Sequence, residues 1–407
     1  MPLDVFNSIK TTFVLSIVVL FSACSSTQQS VSAKTSQSTI SAQEVNASIN
    51  AAADWQLDNM DNFESYIPSF IHRTVEPVGW VQGTFYLGLS RWANKTNNVR
   101  YVDYLVDHGD QYQWRLGDRL YHADDHVVAQ YYLELFQNDK NNKYIKNLIT
   151  DFDKILSDKP TEPLDFEPKG KYQEEGYDHD CQKRWCWSDA LFMSPPAWFG
   201  LSAMTGDPKY AEYADAEYRA TTDYLFDQDS GFYYRDSRFF SKREDSGEKI
   251  FWSRGNGWVF AGLTSVIDSM PKEDARRNWY IELFQKMSKS LIAVQSNAGY
   301  WPVSLEAGHK YPVAETSGTA FFLSGLAWGV NNGTLNCEAY MPSVKKAWTA
   351  LKSAQKSDGM LGYVQQVGFA PDRVSENETQ LYGAGAFLLA GTELLTLIEN
   401  RGLNCTD

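Results

Sequence analysis

The chain has 407 residues, 43% hydrophobic and 22% charged, which is enough apolar material for one large domain or two ordinary ones and excludes wholesale disorder. A formal net charge of −14 argues against a nucleic-acid partner, because a phosphate backbone attracts a surplus of Lys and Arg; an anionic sugar, needing only one or two local arginines, is not excluded. Aromatic content is high, with 13 Trp, 23 Tyr and 22 Phe, which suits either sugar-stacking platforms or a large helical core.

Residues 1–24 read as a targeting segment. Lys10 precedes an apolar run from Phe13 to Phe21 that is too short to span a bilayer and ends in Ser22-Ala23-Cys24. Leu20-Phe21-Ser22-Ala23-Cys24 resembles a bacterial lipobox, in which the cysteine is lipidated and becomes the mature N-terminus. Two residues are unusual for such a segment: Phe21, where Leu is commoner, and Asp4 ahead of the apolar run. An exported lipoprotein is expected, anchored to a membrane and facing the periplasm or the cell surface. Ser25 to Ala51, rich in Ser, Thr, Gln and Ala, reads as a flexible tether, leaving residues 52–407 as the folded domain. With Cys24 set aside, Cys181, Cys186, Cys337 and Cys405 remain. An even count in an exported chain permits disulfides, Cys181 and Cys186 being closest in sequence. No second close cysteine pair accompanies them, so no structural metal is expected.

From Ala52 onward the pattern is helix after helix, with almost no period-two alternation. Asp125 to Asn138 places apolar residues at 128, 131, 132, 135 and 136 on one helical face. Ser194-Pro195-Pro196 opens a helix that Gly206 ends, and Asp207-Pro208 opens the next, running to about Phe226. Glu315 to Val330 forms another, stopped by Asn331-Asn332-Gly333. A weak repeat runs through these helices. Phe85-Tyr86-Leu87-Gly88-Leu89, Trp198-Phe199-Gly200-Leu201, Phe260-Ala261-Gly262-Leu263 and Phe322-Leu323-Ser324-Gly325-Leu326 share an aromatic residue followed by Gly-Leu, and Phe387 to Gly391 is a degenerate version. Gly200, Gly262, Gly325 and Gly391 are 62, 63 and 66 residues apart, and the 112 residues from Gly88 to Gly200 leave room for two units. Glycine inside a helix costs up to about 1 kcal/mol against alanine, so its recurrence points to close packing. Six helical hairpins can stack openly or close into a ring. The last unit has no obvious polar cap, which favours an all-α ring with the repeated helices inside.

The loops ahead of these inner helices hold the residues suited to chemistry, and in a ring they converge at one end. Asp124 and Asp125 in His122-Ala123-Asp124-Asp125-His126 suit either acid–base work or helix capping. Asp189 follows Trp185 and Trp187 and precedes Ala190-Leu191-Phe192-Met193, a setting that desolvates a carboxyl and raises its pKa, as a general acid requires. In Phe251 to Trp258, Trp252 and Trp258 offer sugar platforms, Arg254 can fork a carboxylate, and Gly255-Asn256-Gly257 lets a loop approach a ligand. The competing readings are core packing for Trp258 and a structural ion pair for Arg254. His179, in Asp178-His179-Asp180, is a candidate ligand contact or a solvated loop residue. No phosphate-binding or dinucleotide fingerprint is present.

Taken together, Trp187-Ser188-Asp189-Ala190-Leu191-Phe192-Met193-Ser194, Phe251 to Trp258 and Glu315-Thr316-Ser317-Gly318-Thr319-Ala320-Phe321-Phe322 resemble glycoside hydrolase family 105, the unsaturated rhamnogalacturonyl and related glycuronyl hydrolases. The resemblance extends from about Ala52 to the C-terminus. It implies an (α/α)6 barrel of six helical hairpins, with Asp189 matching the general acid/base and one of Asp124 and Asp125, preferably Asp124, the second essential carboxylate. It also implies that Trp187, Trp252, Arg254 and Trp258 hold the unsaturated sugar and that no metal or organic cofactor is used. The chain departs from the pattern in Gly231 to Asp236, where some members carry a His and this sequence offers Tyr234 and Arg235. That leaves the contact to the neighbouring sugar open.

The reaction so implied is hydration of the C4=C5 double bond that a polysaccharide lyase leaves on a terminal uronate, which releases that sugar. Rhamnogalacturonan and sulfated ulvan-type fragments both fit, and Arg235, Arg238 and Lys242 are candidates for telling them apart. A non-catalytic glycan-binding lipoprotein, or a six-hairpin sugar enzyme of another activity, are the alternatives.

Overall fold

A computed structural model describes residues 40–61, 76–167 and 173–405. The targeting segment with Cys24 and residues 25–39 of the expected tether lie outside the described residues. The helices are α1 (Ala42–Asp58), α2 (Trp80–Thr96), α3 (Val99–Gln111), α4 (Val128–Asp139), α5 (Lys146–Ser157), α6 (Ala190–Met193), α7 (Pro195–Thr205), α8 (Pro208–Leu225), α9 (Ser253–Ser269), α10 (Arg277–Val294), α11 (Thr316–Asn331), α12 (Cys337–Ala354) and α13 (Leu381–Arg401).

Six of these form a closed wall: α2, α4, α7, α9, α11 and α13 each pack on the next, and α13 returns to α2. The intervening helices back onto the wall, α1 on α13, α3 on α2, α8 on α7, α10 on α9 and α12 on α11. Phe152 of α5 stacks on Trp198 of α7 at 3.7 Å, which docks that outer helix as well. This is the (α/α)6 barrel expected from the repeat. Composition follows position. Every residue of α9 from Ser253 to Ile267 is buried, whereas α5 buries only Leu148, Phe152 and Ile155. Helix α13 is long and apolar enough to cross a membrane, yet it is a largely buried wall of the barrel.

The recurrent glycines set the spacing of the wall. A Cβ on Gly88 would lie 2.3 Å from the Gly385 carbonyl oxygen, and one on Gly262 would lie 2.5 Å from the Leu191 oxygen. At Gly325 the obstacle is the Phe260 ring, 2.4 Å away. Gly391 belongs to the repeat in sequence but faces outward, with Ile49 of α1 at 2.3 Å; Gly385 makes the wall contact instead.

The folded domain begins earlier than residue 52. Ser41 caps α1 by accepting the Glu44 N–H at 3.1 Å, and Val45, Ile49, Ala52 and Ala53 are buried. Residues 42–51 are therefore helix, not tether. Small and polar residues outnumber its apolar ones in this stretch, where only Val45, Ser48 and Ile49 are buried, so the composition mimics a linker.

Two disulfides join Cys181 to Cys186 and Cys337 to Cys405. The second ties the end of the chain to the start of α12. After α8 comes a short antiparallel hairpin, β1 (Phe226–Asp227) and β2 (Phe232–Tyr233). The side chain of Asn256 pairs with both backbone groups of Tyr233, accepting its N–H at 2.7 Å and donating to its carbonyl at 3.0 Å, so the hairpin is moored to α9. Gly385→Ala is expected to destabilise the fold by about 1–3 kcal/mol through overpacking, read as a lower urea midpoint.

Candidate active site

The N-terminal ends of the inner helices surround a cavity of about 210 Å³. Trp80 from α2, Asp124 ahead of α4, Trp187 and Asp189 ahead of α6, and Trp252, Arg254 and Trp258 from the start of α9 all line it, with Arg235 from the segment after β2. Each wall helix points its positive dipole end toward this mouth, which favours bound negative charge.

Asp189 is only 8% exposed and accepts a hydrogen bond from the Ser188 hydroxyl at 3.0 Å. Burial pushes its carboxyl above the usual carboxylate range, against the pull of Arg235, Ser188 and Arg254. The Arg235 Nε stands 3.7 Å from Asp189 Oδ2. Asp124 keeps a fifth of its side chain exposed. Burial pushes this carboxyl up to about 7; Arg119 and Arg235 oppose the shift, and the negative charges of Asp125 and Asp189 reinforce it. Of the three acidic residues lining the cavity among the described residues, Asp124, Asp178 and Asp189, the first and last are thus biased toward keeping a proton.

Asp125 takes a different part. Its Oδ2 accepts the Arg119 N–H at 2.7 Å, and its Oδ1 accepts from Arg119 Nη2 at 2.5 Å. Gly117 is packed against the same carboxylate. Asp125 is thus a buried structural anion, and of the adjacent pair only Asp124 lines the cavity. Successive residues of a turn point in different directions, so two neighbouring acids cannot both face one small cavity.

Arg254 is fully buried. Its Nη1 and Nη2 donate to the carbonyls of Gln365 and Gln366 at 2.6 and 2.8 Å, and its guanidinium lies 4.4 Å from the Trp252 ring and 4.8 Å from Tyr382. Its Nε is buried and has no hydrogen-bond partner among the described residues. Gln365 ties this corner together. It accepts from Trp252 Nε1 at 2.7 Å and, through its carbonyl, from the Tyr382 hydroxyl at 2.6 Å. Glu315 caps α11 by accepting the N–H groups of Ser317 and Gly318, and it accepts the Gln365 N–H as well.

Three sequence expectations need correction. Gly255 and Gly257 lie inside α9 and serve packing, against Trp252 and Ser188 for the first and against Phe321 and Gly318 for the second, so they do not form a ligand-approaching loop. His179 does not line the cavity; its Nδ1 faces the Glu167 carbonyl and its ring packs 4.0 Å from Phe166. Tyr234 also points elsewhere, packing on Phe240 and Phe251 with its hydroxyl 3.3 Å from Asp227. Extended backbone sends neighbouring side chains to opposite sides, so Arg235 faces the cavity and Tyr234 cannot.

The sequence reading missed His122, Trp80, Tyr382 and the segment Val367-Gly368-Phe369. His122 lies 5.0 Å from Trp187, ring to ring, and its Nδ1 accepts the Asp124 N–H at 3.3 Å. Trp80 lines the cavity and stacks on Tyr382 at 5.2 Å. Trp80 opens α2 and Tyr382 lies in the first turn of α13, so the starts of the first and last inner helices carried the same signal as the others. Val367 to Phe369 carries no periodic signal.

Two proton-retaining carboxyls among tryptophan faces define an acid–base enzyme that works on sugars, and the wall around them makes it one of the (α/α)6 class. The family model described as Glycosyl Hydrolase Family 88 matches residues 41–398, and the chain belongs to that family of glycoside hydrolases. This supports the resemblance to unsaturated glycuronyl hydrolases and sets aside a purely binding lipoprotein. The chain is 42% identical over 351 residues to an unsaturated 3S-rhamnoglycuronyl hydrolase of Alteromonas sp. (strain LOR), covering 85% of this chain and 84% of that protein. It is 35% identical over 365 residues to an unsaturated 3S-rhamnoglycuronyl hydrolase of Formosa agariphila, covering 88% and 92%. Among solved structures, a glycosyl hydrolase family 88 protein from Bacteroides vulgatus superposes with a TM-score of 0.75 at 30% identity, covering 88% of this chain and all of that one.

Arg119→Ala would leave Asp125 as an unpaired buried charge. It is expected to cost about 3–5 kcal/mol of stability, read by denaturant unfolding.

Proposed function

We propose that this chain removes the terminal 4,5-unsaturated uronic acid from lyase-generated oligosaccharides, with a sulfated rhamnose as the neighbouring sugar. The observation that carries this reading is the buried Asp189 carboxyl sharing one cavity with Asp124. The names of the two relatives favour the sulfated, ulvan-type fragment over rhamnogalacturonan. Within the wider group we assign the chain to family 105, on the Trp187–Ser194, Phe251–Trp258 and Glu315–Phe322 motifs.

In this reading protonated Asp189 donates to C4 of the vinyl ether, and positive charge develops on C5 and the ring oxygen. The carboxylate left behind removes a proton from the water that attacks C5. The resulting hemiketal opens, expelling the shortened saccharide and leaving a 5-keto uronate. Asp124, held beside the acid, keeps the local charge from building up because it retains its own proton to about pH 7. Arg254, deepest of the cavity cations and with an unused Nε, pairs the uronate carboxylate, while Trp252 and Trp258 supply faces for the planar ring.

The test is loss of the ultraviolet absorbance of the C4=C5 bond in lyase digests of ulvan and of rhamnogalacturonan. Absorbance is expected to fall with the ulvan digest. In Asp189→Asn, turnover should drop by roughly 100- to 10,000-fold with the fold intact, since the amide cannot donate and recover the proton. Near-normal turnover in that variant would remove Asp189 from its role.

We further propose that the protein is exported and anchored through a lipid on Cys24. The lipobox-like Leu20 to Cys24 supports this, as do two disulfides, which persist in oxidising compartments. Cys24→Ala is expected to move the protein from the membrane fraction to the soluble fraction on cell fractionation. Unchanged membrane retention would argue against the anchor.

A further inference from the structure

The proposed substrate carries two anions, a carboxylate on the terminal sugar and a sulfate on its neighbour. Among the described residues, the cavity holds three guanidinium groups, those of Arg119, Arg254 and Arg235. Arg119 is committed to Asp125. The other two each keep a buried Nε without a hydrogen-bond partner among the described residues, that of Arg235 standing 3.7 Å from Asp189 Oδ2. A buried N–H left unpaired costs on the order of 1–3 kcal/mol, so two of them at one cavity point to ligand groups that complete them.

The two sites differ in depth. Arg254 is wholly enclosed between Trp252 and Tyr382, at the end where a planar terminal ring would sit. Arg235 is shallower, with 14% of its side chain exposed, and stands beside Asp189. Its place is set from both sides: its carbonyl accepts the Ser188 N–H at 2.8 Å, and Asn256 moors the adjoining Tyr233. Behind it lies Asp236, completely buried, which accepts from Arg235 Nη1 at 2.7 Å and from Arg238 Nε and Nη2, both at 2.8 Å. Two guanidiniums share one carboxylate, so the trio carries a net positive charge. Arg238 is in turn placed 4.1 Å from the Phe166 ring and 5.1 Å from Phe369. Phe369 lines the cavity and is half exposed, which puts this charged wall at the mouth, where the second sugar must lie.

We propose that Arg235, braced by Asp236 and Arg238, reads the sulfate on the sugar adjoining the unsaturated uronate. This rests on the function proposed above and assigns the second anion of that substrate. The residue types are suited to the task. Asp236 holds Arg235 Nη1 and Asp189 stands 3.7 Å from its Nε, so the guanidinium is fixed on two sides and Nη2 is left for a sulfate oxygen. Holding the guanidinium rigid in advance lets it discriminate, because an unsulfated sugar leaves that donor without its partner.

The experiment compares kcat/KM on an unsaturated uronyl–rhamnose disaccharide bearing the sulfate with kcat/KM on the same disaccharide after chemical desulfation. Both are followed by loss of the double-bond absorbance. The wild-type enzyme is expected to prefer the sulfated form by roughly 30- to 100-fold. In Arg235→Gln that ratio should collapse toward unity, and in Arg235→Lys, which keeps the charge and loses the fork, it should fall only partway. Arg238→Gln should lower the ratio by a smaller factor, and it carries the test if the glutamine variant at 235 does not fold. Arg235 also tunes Asp189, but that effect acts equally on both substrates and cancels in the ratio. Equal losses on the two substrates in every variant, or a wild-type enzyme indifferent to sulfate, would overturn the assignment and leave the hydration reaction standing. Absence of turnover on both forms by the wild-type enzyme would instead overturn the functional reading and this inference with it.

Discussion

The close approach of α2 and α13, backbone to backbone at Gly88 and Gly385, is the contact on which the rest of the molecule depends. It joins the last inner helix to the first and turns a row of hairpins into a ring. A side chain at either position would hold the helices apart and open the wall. Closure also fixes polarity. With every inner helix running in the same sense, all six N-termini meet at one mouth, and residues spread from Trp80 to Tyr382 become neighbours. No single hairpin contains a site; the ring makes one.

The mouth departs from ordinary core chemistry in a controlled way. Elsewhere the barrel buries apolar and aromatic side chains, but here it buries Arg119, Asp125, Asp236, Arg254 and Glu315. Most of these are matched: Arg119 with Asp125, Asp236 with two arginines, Glu315 with the turn it caps. The residues lining the cavity include incompletely paired groups, among them the two carboxyls with raised pKa and the Nε atoms of Arg235 and Arg254. Burying such groups without full compensation costs stability, and the large aromatic core sustains that cost. Within the mouth a division therefore runs between the paired frame of the site, Arg119 with Asp125, and the carboxyls of its working surface. Asp124 and Asp125, adjacent in sequence, fall on opposite sides of it.

The assignment of a reaction follows from this division and from family membership together. The barrel alone would house many sugar chemistries. A carboxyl that holds its proton beside a second one, flanked by tryptophan faces and an arginine with a free donor, narrows these to proton transfer on an anionic sugar ring. The sulfate proposed for Arg235 completes the same picture, since the outer cation answers the outer anion.

Much of this was legible in the residues themselves. The recurring aromatic-Gly-Leu pattern identified five of the inner helices, and the gap between Gly88 and Gly200 left room for the sixth; at Gly88, Gly262 and Gly325 the wall leaves no space for a Cβ. The setting of Asp189 between tryptophans and an apolar run marked it as a desolvated acid. The sequence could not say which way a side chain points in a turn or an extended segment. Tertiary structure decided that Asp124 faces the cavity and Asp125 faces Arg119, and that Arg235 turns in where Tyr234 turns out. It also moved the start of the domain back to α1, whose small and polar residues look like a linker until α13 lies against its buried stripe. Periodicity is a local property and survives in one dimension; direction within irregular backbone is set by partners far away in the chain, and only the closed ring supplies them.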